Sequence, residues 1–184
     1  MSDTQGNGAD QQQQVPPVII NGQYIKDLSF ESPNSPGILT ELQGKQPDIN
    51  VDVNVTSNPI ENVDHPNLFE VVLTMNATLT LEGKTGFVIE LQYGGVFTLN
   101  IPEEHRAAFL MIECPRILFP YARQVMSDTT QQGGFMPLYL QPIDFAALYQ
   151  HSLQGRAAEL GQEVNELDKQ VADTLKEKGV DAPN

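Results

Sequence analysis

Four segments of the chain alternate between apolar and polar residues, a period of two that predicts β-strands. The first begins near Tyr24 and ends at the run SPNSPG, because prolines cannot donate to a strand ladder. The second is DINVDVNVT, in which Ile and Val alternate with Asp and Asn. Two longer segments follow, and the turn between them at Glu82–Lys84 contains Gly83, which suits a tight hairpin. Together these segments predict a four-stranded antiparallel sheet with one buried face.

The alternation also predicts which side chains share a face of the first and fourth strands. One face of the first strand holds Tyr24, Lys26, Leu28 and Phe30, and the other holds Ile25, Asp27, Ser29 and Glu31. On the fourth strand Val88 and Glu90 point outward, while Gly94 and Gly95 indicate a bulge or a close approach of backbone. If the two strands are neighbours, their outward residues form an acidic patch with an apolar centre. The ordinary alternative is a solvated sheet face.

A long helix is predicted after the sheet. Pro102 suits its first turn, and Glu103 and Glu104 complement the helix dipole. The apolar stretch that follows runs through Met126, and Pro115 is expected to kink or restart the helix. Because apolar residues cover this helix all round, it is expected to be buried all round.

One side of this helix can lie on the sheet, and the opposite side needs a second cover. Leaving ~400 Å² of apolar surface exposed would forgo about 10 kcal/mol. A second copy of the chain, in a symmetric oligomer, is the expected cover. The alternatives are the 35–46 loop or the last helix. The residues expected at the interface between copies are Phe109, Ile112, Ile117, Leu118, Phe119 and Tyr121.

The two ends of the chain differ from its middle. Residues 1–20 are rich in Gln, Asp and Gly and are expected to form a disordered tail. Asp144 is expected to cap a last helix, and the acidic segment 155–184 is expected to be a partly mobile helix and tail. Its apolar stripe consists of Leu160, Val164, Leu167, Val171 and Leu175. The expected fold class is α+β, with a four-stranded antiparallel sheet packed on one long proline-interrupted helix plus a C-terminal helix, and the main domain covers 21–154.

Charge and composition restrict the classes of partner. The 184 residues include 24 acids and 10 bases, for a formal net charge of −14. Phosphate groups would be repelled, so nucleic acid and anionic membranes are not expected as partners, whereas a basic partner is permitted. No run approaches the 18 or so apolar residues of a membrane span, and the first residues lack the basic and apolar regions of a secretion signal. A cytoplasmic protein is therefore expected.

The residues that carry chemistry are few and scattered. The three histidines, His65, His105 and His151, have no metal-ligand spacing. Cys114 is the single cysteine, lies among apolar residues and has only Arg116 as a nearby base, so we expect a small buried side chain rather than a nucleophile. No phosphate-binding loop is present. The sequence predicts no catalytic residue, no metal and no cofactor.

Four stretches resemble the bacterial SecB family of protein-export chaperones. They are YIKDLSFESPN over 24–34, the long run over 68–97 that ends in LQYGGVF, CPRILFPYARQVMSD over 114–128 and GGFMPLYLQPIDFAALY over 133–149. The pairing of the first and third stretches is specific to this family, and the resemblance spans about 22–154.

The resemblance implies a function and an assembly. A member of this family is an ATP-independent holdase of the cytoplasm that binds unfolded precursor proteins, keeps them competent for translocation and delivers them to the SecA translocase ATPase. It forms a homotetramer, a dimer of dimers, in which the long helices lie between sheets. It is not an enzyme and does not insert into membranes. The positions that match the SecA-docking surface of the family are Asp27, Glu31, Val88 and Glu90.

The resemblance also implies a groove for client peptides between the second strand with its preceding loop and the last helix. The matching residues are Ile49, Val51, Val53, Phe145, Leu148 and Tyr149. A tryptophan that is frequent in the preceding loop is missing here, and Lys45 stands near its place. Two other classes of function are open from the residues alone. One is a non-chaperone oligomeric module that binds a ligand or supports assembly, and the other, with least support, is a hydrolytic enzyme.

Overall fold

The computed structural model describes residues 16–61 and 67–156, and its sheet confirms the predicted antiparallel fold. The strands are β1 (Val18–Glu31), β2 (Asp48–Pro59), β3 (Leu68–Leu81) and β4 (Lys84–Leu99). Their order across the sheet is β1-β4-β3-β2, so β1 and β2 form the two edges. β1 begins six residues before the predicted start, and the first residues of this strand therefore belong to the domain rather than to the tail expected over 1–20.

The turn between β3 and β4 has the predicted hairpin geometry. Leu81 pairs with Lys84, and the two residues between them, Glu82 and Gly83, have φ angles of 52° and 80°. Positive φ at both central positions matches the right-handed twist of the flanking strands. The local sequence was therefore sufficient to place this turn.

The segment between β1 and β2 is not only the loop that the sequence predicted. It contains α1 (Gly37–Glu41), whose Ile38 is 1% exposed. This single buried side chain attaches the segment to the sheet core. A five-residue helix has too few positions to show a helical period, which explains why the pattern did not reveal it.

The long helical region has three parts. α2 (Glu103–Ala108) leads into a wide π-helical turn at Phe109–Glu113, and α3 (Cys114–Gln132) follows. At the junction the Cys114 N–H bonds to the carbonyl of Phe109, five residues back. Pro115 comes next, and its ring would clash with the carbonyl four residues back in a regular α-helix, so a wider turn relieves the conflict. The predicted disturbance at this proline is confirmed, and α3 continues six residues beyond Met126.

A last helix, α4, begins at residue 145 and runs to residue 156, where the described residues end. The Asp144 carboxylate oxygen Oδ1 accepts hydrogen bonds from the N–H groups of Ala146 and Ala147, each at 3.0 Å. This confirms the predicted cap, which satisfies two N–H groups that have no partner within the helix. The tail expected over 1–20 lies mostly outside the described residues, and the apolar stripe predicted between residues 160 and 175 lies wholly outside them.

The core lies between α3 and the face of the sheet that is formed mainly by β3 and β4. Leu118, Ala122 and Met126 of α3 are fully buried there. Leu118 approaches the sheet at Gly95, where an added Cβ would lie 2.7 Å from Leu118 Cδ2. The close approach predicted at the glycine pair is therefore present. In the described ranges, no helix combines the length and apolarity that crossing a bilayer requires.

Candidate functional site

A β-bulge in β1 decides which residues reach the outward face of the sheet, the face opposite α3. Ile25 pairs with Tyr93 and Asp27 pairs with Gln92, so Lys26 is an extra residue without a partner on β4. The strict alternation predicted for this strand was wrong at this point. A bulge changes the face of every residue on one side of it, and a period of two does not reveal the extra residue.

The bulge moves Tyr24 to the outward face and Ile25 to the helix side. Tyr24 lies opposite Gly94, and a Cβ added at this glycine would lie 2.7 Å from the Cζ of the tyrosine ring. Leu28 and Phe30 keep their predicted positions on the helix side, opposite Leu91 and Ile89.

The residues predicted as an acidic patch lie on one face of two neighbouring strands. Glu31 lies opposite Val88 and Ser29 lies opposite Glu90, while Asp27 lies one pair further along β1. Directly opposed residues share a face, and adjacent strands lie about 4.8 Å apart. We call the surface formed by Asp27, Glu31, Val88 and Glu90 the acidic face. Among the described residues its three carboxylates take part in no ion pair.

A cluster of three polar side chains lies beside the acidic face. Lys26 Nζ donates to both carboxylate oxygens of Glu70 on β3, at 2.8 Å and 2.9 Å, and the Tyr24 hydroxyl donates to the same carboxylate. The hydrogen bonds from Lys26 and Tyr24 hold the pKa of Glu70 below its usual value. Burial, followed by the hydrogen bond to Glu70, raises the pKa of Tyr24 to about 12. No local sequence pattern indicated this cluster, because Lys26 and Tyr24 lie 44 and 46 positions from Glu70 along the chain.

An apolar cavity of about 500 Å³ opens where the α1–β2 connection meets the segment before α4. We call it the apolar groove. Met136 and Tyr139 stand at its mouth with 89% and 72% of their surface exposed, and Ile49 contributes from β2 with 47% exposed. Its lining residues are Leu42, Lys45, Gln46, Pro47, Ile49, Leu79, Phe87, Phe135, Met136, Pro137, Leu138 and Tyr139. Most of these were missed, although the apolar extended run FMPLYLQPI was a signal that could have indicated them.

The six residues predicted for the client groove do not form one site in this structure. Val51 and Val53 are half-buried beside Ile49 on the helix-side face of β2. Phe145 is 1% exposed and its ring packs 6.0 Å from that of Phe119, so it is a core residue. The sequence alone did not separate groove from core here, because both are apolar.

Leu148 and Tyr149 line a second groove, between the end of β2 and α4, together with Met111 and Arg156. It consists of two adjoining cavities of about 370 Å³ and 410 Å³. These two predicted residues therefore lie near the opposite end of β2 from Ile49, which lines the apolar groove.

Two of the six residues predicted at an interface between copies are already covered within one protomer. Leu118 is fully buried and Phe119 is 7% exposed, so their assignment as free interface residues was wrong. Leu118 faces the sheet at Gly95, and the ring of Phe119 packs against Phe145 at the start of α4. Tyr121 is 54% exposed. The remaining three predicted interface residues are half-buried, and they are Phe109, Ile112 and Ile117.

A further apolar surface lies on β1, an edge strand. Ile20, Ile25 and Leu28 are between 39% and 48% exposed on its helix side. The sequence pattern did not predict this surface, since it assigned Leu28 to the core side, Ile25 to the outward face and Ile20 to the N-terminal tail.

Cys114 is fully buried, and burial is the main reason that its pKa is raised to about 12. A thiol with this pKa is protonated at neutral pH and is a poor nucleophile. Within the part of the chain that the structure describes, no three His, Cys, Asp or Glu side chains come close enough to hold a metal ion.

Comparison with known proteins gives a consistent set of relatives. Residues 11–156 match the family model described as preprotein translocase subunit SecB. The protein-export protein SecB of Rhodospirillum rubrum is 46% identical over 164 residues, covering 89% of this chain and 97% of that protein. That of Paramagnetospirillum magneticum is 48% identical over 160 residues, covering 87% and 96%. A solved SecB-like chaperone of Mycobacterium tuberculosis, in complex with an antitoxin peptide, has a similar fold, with 17% identity, a TM-score of 0.53 and coverage of 69% of this chain and 91% of that chain.

Proposed function

The chain belongs to the SecB family, and from this premise we propose that it is an ATP-independent holdase of the cytoplasm that delivers unfolded precursor proteins to the SecA ATPase. The family is one of export chaperones and not of enzymes, so the chain is a chaperone without catalytic activity. The observation that best supports client capture is the apolar groove, whose large side chains Met136 and Tyr139 are exposed to solvent.

The apolar groove supports capture of unfolded segments. Apolar contacts are non-directional, so they accept many client sequences. Such contacts need no conformational change in the protein, because the groove side chains of Met136, Tyr139 and Ile49 are already exposed. A long unfolded chain that touches several grooves gains effective concentration, so that weak contacts sum to tight binding. A folded protein exposes no segment of this kind and is not captured.

The acidic face supports docking of SecA. Among the described residues, no ion pair involves Asp27, Glu31 or Glu90. Val88 lies beside them and offers an apolar contact. Such a face suits a basic partner surface, because complementary charge raises the association rate and selects the partner. The acidic face lies on the side of the sheet opposite α3. SecA docking and client capture are therefore proposed to use separate surfaces.

The exposed apolar residues of β1 and α3 support a homotetramer, a dimer of dimers. The free edge of β1 offers unpaired backbone groups beside Ile25 and Leu28, and a second β1 edge would cover both. Tyr121 and Ile117 on the open side of α3 offer a second contact. Each interface would remove apolar surface from water.

The test of the proposed function is the refolding of a chemically unfolded protein in the absence of nucleotide. An excess of the chaperone should slow the appearance of native client, and addition of SecA should shift the complex to a larger mass. Normal refolding rates for several different clients would contradict the proposal. Native mass spectrometry of the same samples measures the number of subunits.

A further inference from the structure

Lys26 is a cation beside the acidic face, and Glu70 holds it at two points. Its Nζ lies 2.8 Å and 2.9 Å from the two carboxylate oxygens. Glu70 lies on β3 opposite Val96 of β4, whereas Lys26 lies on β1. Since β4 separates these two strands in the sheet, the Lys26 side chain crosses a whole strand to reach its partner.

The crossing has a local cause. The Tyr24 ring covers Gly94 of β4, which has no side chain to hinder it, and the tyrosine hydroxyl donates to Glu70 as well. The bulge is a second cause of the crossing, because it places Tyr24 and Asp27 on the same outward face with Lys26 between them. Two hydrogen-bond donors from β1 therefore converge on one carboxylate of β3.

The ion pair between Lys26 and Glu70 affects the net charge of the acidic face. Lys26 is the immediate chain neighbour of Asp27, which belongs to the acidic face. Released from Glu70, its ammonium group would be free to pair with Asp27 and cancel one of the three free charges of the face. The pair that prevents this has side-chain exposures of 42% for Lys26 and 17% for Glu70. The half-buried carboxylate is thus a better-shielded partner for the lysine than the open surface offers.

We propose that Glu70 and Tyr24 are positioning residues of the acidic face, which hold the Lys26 ammonium away from Asp27 so that a basic partner meets the three free carboxylates uncompensated. The inference rests on the proposed docking of SecA at this face. It gives Tyr24, Lys26 and Glu70, which belong to no predicted site, a role in keeping the carboxylates of the acidic face uncompensated.

The experiment measures the affinity of SecA for four full-length proteins at physiological ionic strength by calorimetry. They are the wild type, Glu70→Gln, Lys26→Gln and the double variant. Glu70→Gln should bind SecA about threefold more weakly, the effect of one partly exposed ion pair, because the released lysine neutralises Asp27. Lys26→Gln should bind at least as tightly as the wild type, and the double variant should recover the wild-type affinity.

A matched control uses an ion pair outside the acidic face. Glu41→Gln makes the same change in net charge, in a pair whose Lys84 Nζ lies 2.8 Å from the carboxylate. Lys84 is four residues from Val88, about 13 Å along a strand and beyond the screening length at physiological salt. The affinity for SecA should therefore stay at the wild-type value in this variant.

Three outcomes would overturn the inference. The first is a double variant that binds as weakly as Glu70→Gln, since the free lysine would then not be the cause. The second is a weaker binding of Lys26→Gln, which a purely structural role predicts and which remains measurable if Glu70→Gln does not fold. The third is an equal loss in Glu41→Gln. A Glu90→Lys variant that binds SecA normally would instead contradict the proposed docking surface itself.

Discussion

The ring of Tyr24 lies over Gly94 of the neighbouring strand, so closely that a Cβ on the glycine would come within 2.7 Å of the ring carbon Cζ. The missing side chain is what allows the tyrosine to cross β4 and bond to Glu70 on β3. A glycine in the middle of a strand is normally a weakness, and here it provides the space for a contact between two strands that are not neighbours.

Gly94→Ala is therefore expected to destabilise the fold by about 1–3 kcal/mol, as overpacking of a close contact does. Urea unfolding measures the effect. Gly155→Ala is the control, because its Cβ would meet nothing within 4 Å in α4 and should leave stability unchanged or raise it by up to about 1 kcal/mol. Equal stability changes in the two variants would contradict the packing argument.

Stability is expected to fall between pH 10 and 12 in a way that depends on Tyr24. The pKa of this phenol is raised from 10.0 to about 12 in the folded chain. The unfolded chain loses the proton first, so the stabilisation is complete below pH 10 and is lost as pH rises toward 12. Tyr24→Phe should show a shallower fall in urea midpoint over this range. The same slope in both proteins would show that this hydroxyl is not shielded as described.

On the acid side the sign is reversed. The hydrogen bonds from Lys26 and Tyr24 hold the folded-state pKa of Glu70 below the 4.5 of an unperturbed glutamate, so its contribution to stability is present above pH 4.5 and is lost as pH falls through the lower, folded pKa. Glu70→Gln should remove this part of the acid sensitivity. Thermal melts of both proteins below pH 4.5 measure the difference, and an unchanged acid slope would contradict the assignment.

Substitution of the open side chains of the apolar groove should weaken client capture without weakening the fold. Met136→Ser and Tyr139→Ser alter side chains that are 89% and 72% exposed, so the urea midpoint should change little. Retardation of client refolding should decrease, most in the double variant. Leu153→Gln alters the second groove and is the matched control. A larger loss of capture in that control would move the client site to the second groove.

Two residues about one turn apart on α3, the buried Leu118 and the exposed Tyr121, predict different phenotypes. Leu118→Ala should leave a cavity in the protomer core and cost about 2–5 kcal/mol of stability. Tyr121→Ala removes a side chain that is 54% exposed and should lower the native mass at micromolar concentration with little change in secondary structure. Circular dichroism and analytical ultracentrifugation separate the two effects. A tetramer that is stable with Ala at position 121 would remove this residue from the interface.

Much of the site depends on contacts that local patterns do not encode. The outward positions of Asp27 and Glu31 were predicted from alternation, and they hold because both lie on the same side of the bulge. Tyr24 and Ile25 lie on the other side and were assigned to the wrong faces. The apolar groove is built from three segments that are far apart in the chain, so only Ile49 among its open residues was predicted.

The sequence by itself determined the features that neighbouring residues specify. These are the four strands, the turn at Glu82 and Gly83, the cap at Asp144 and the disturbance of the helix at Pro115. Each follows from a preference of the backbone over a few residues, and the motifs were specific enough to indicate the family. The tertiary structure alone decided that Lys26 is an extra residue in β1, that α3 buries its own leucine against Gly95, and that Glu70 gathers two donors from a distant strand. These outcomes depend on which surfaces meet in space. The spacing of apolar and polar residues along the chain does not specify which partner each side chain will contact.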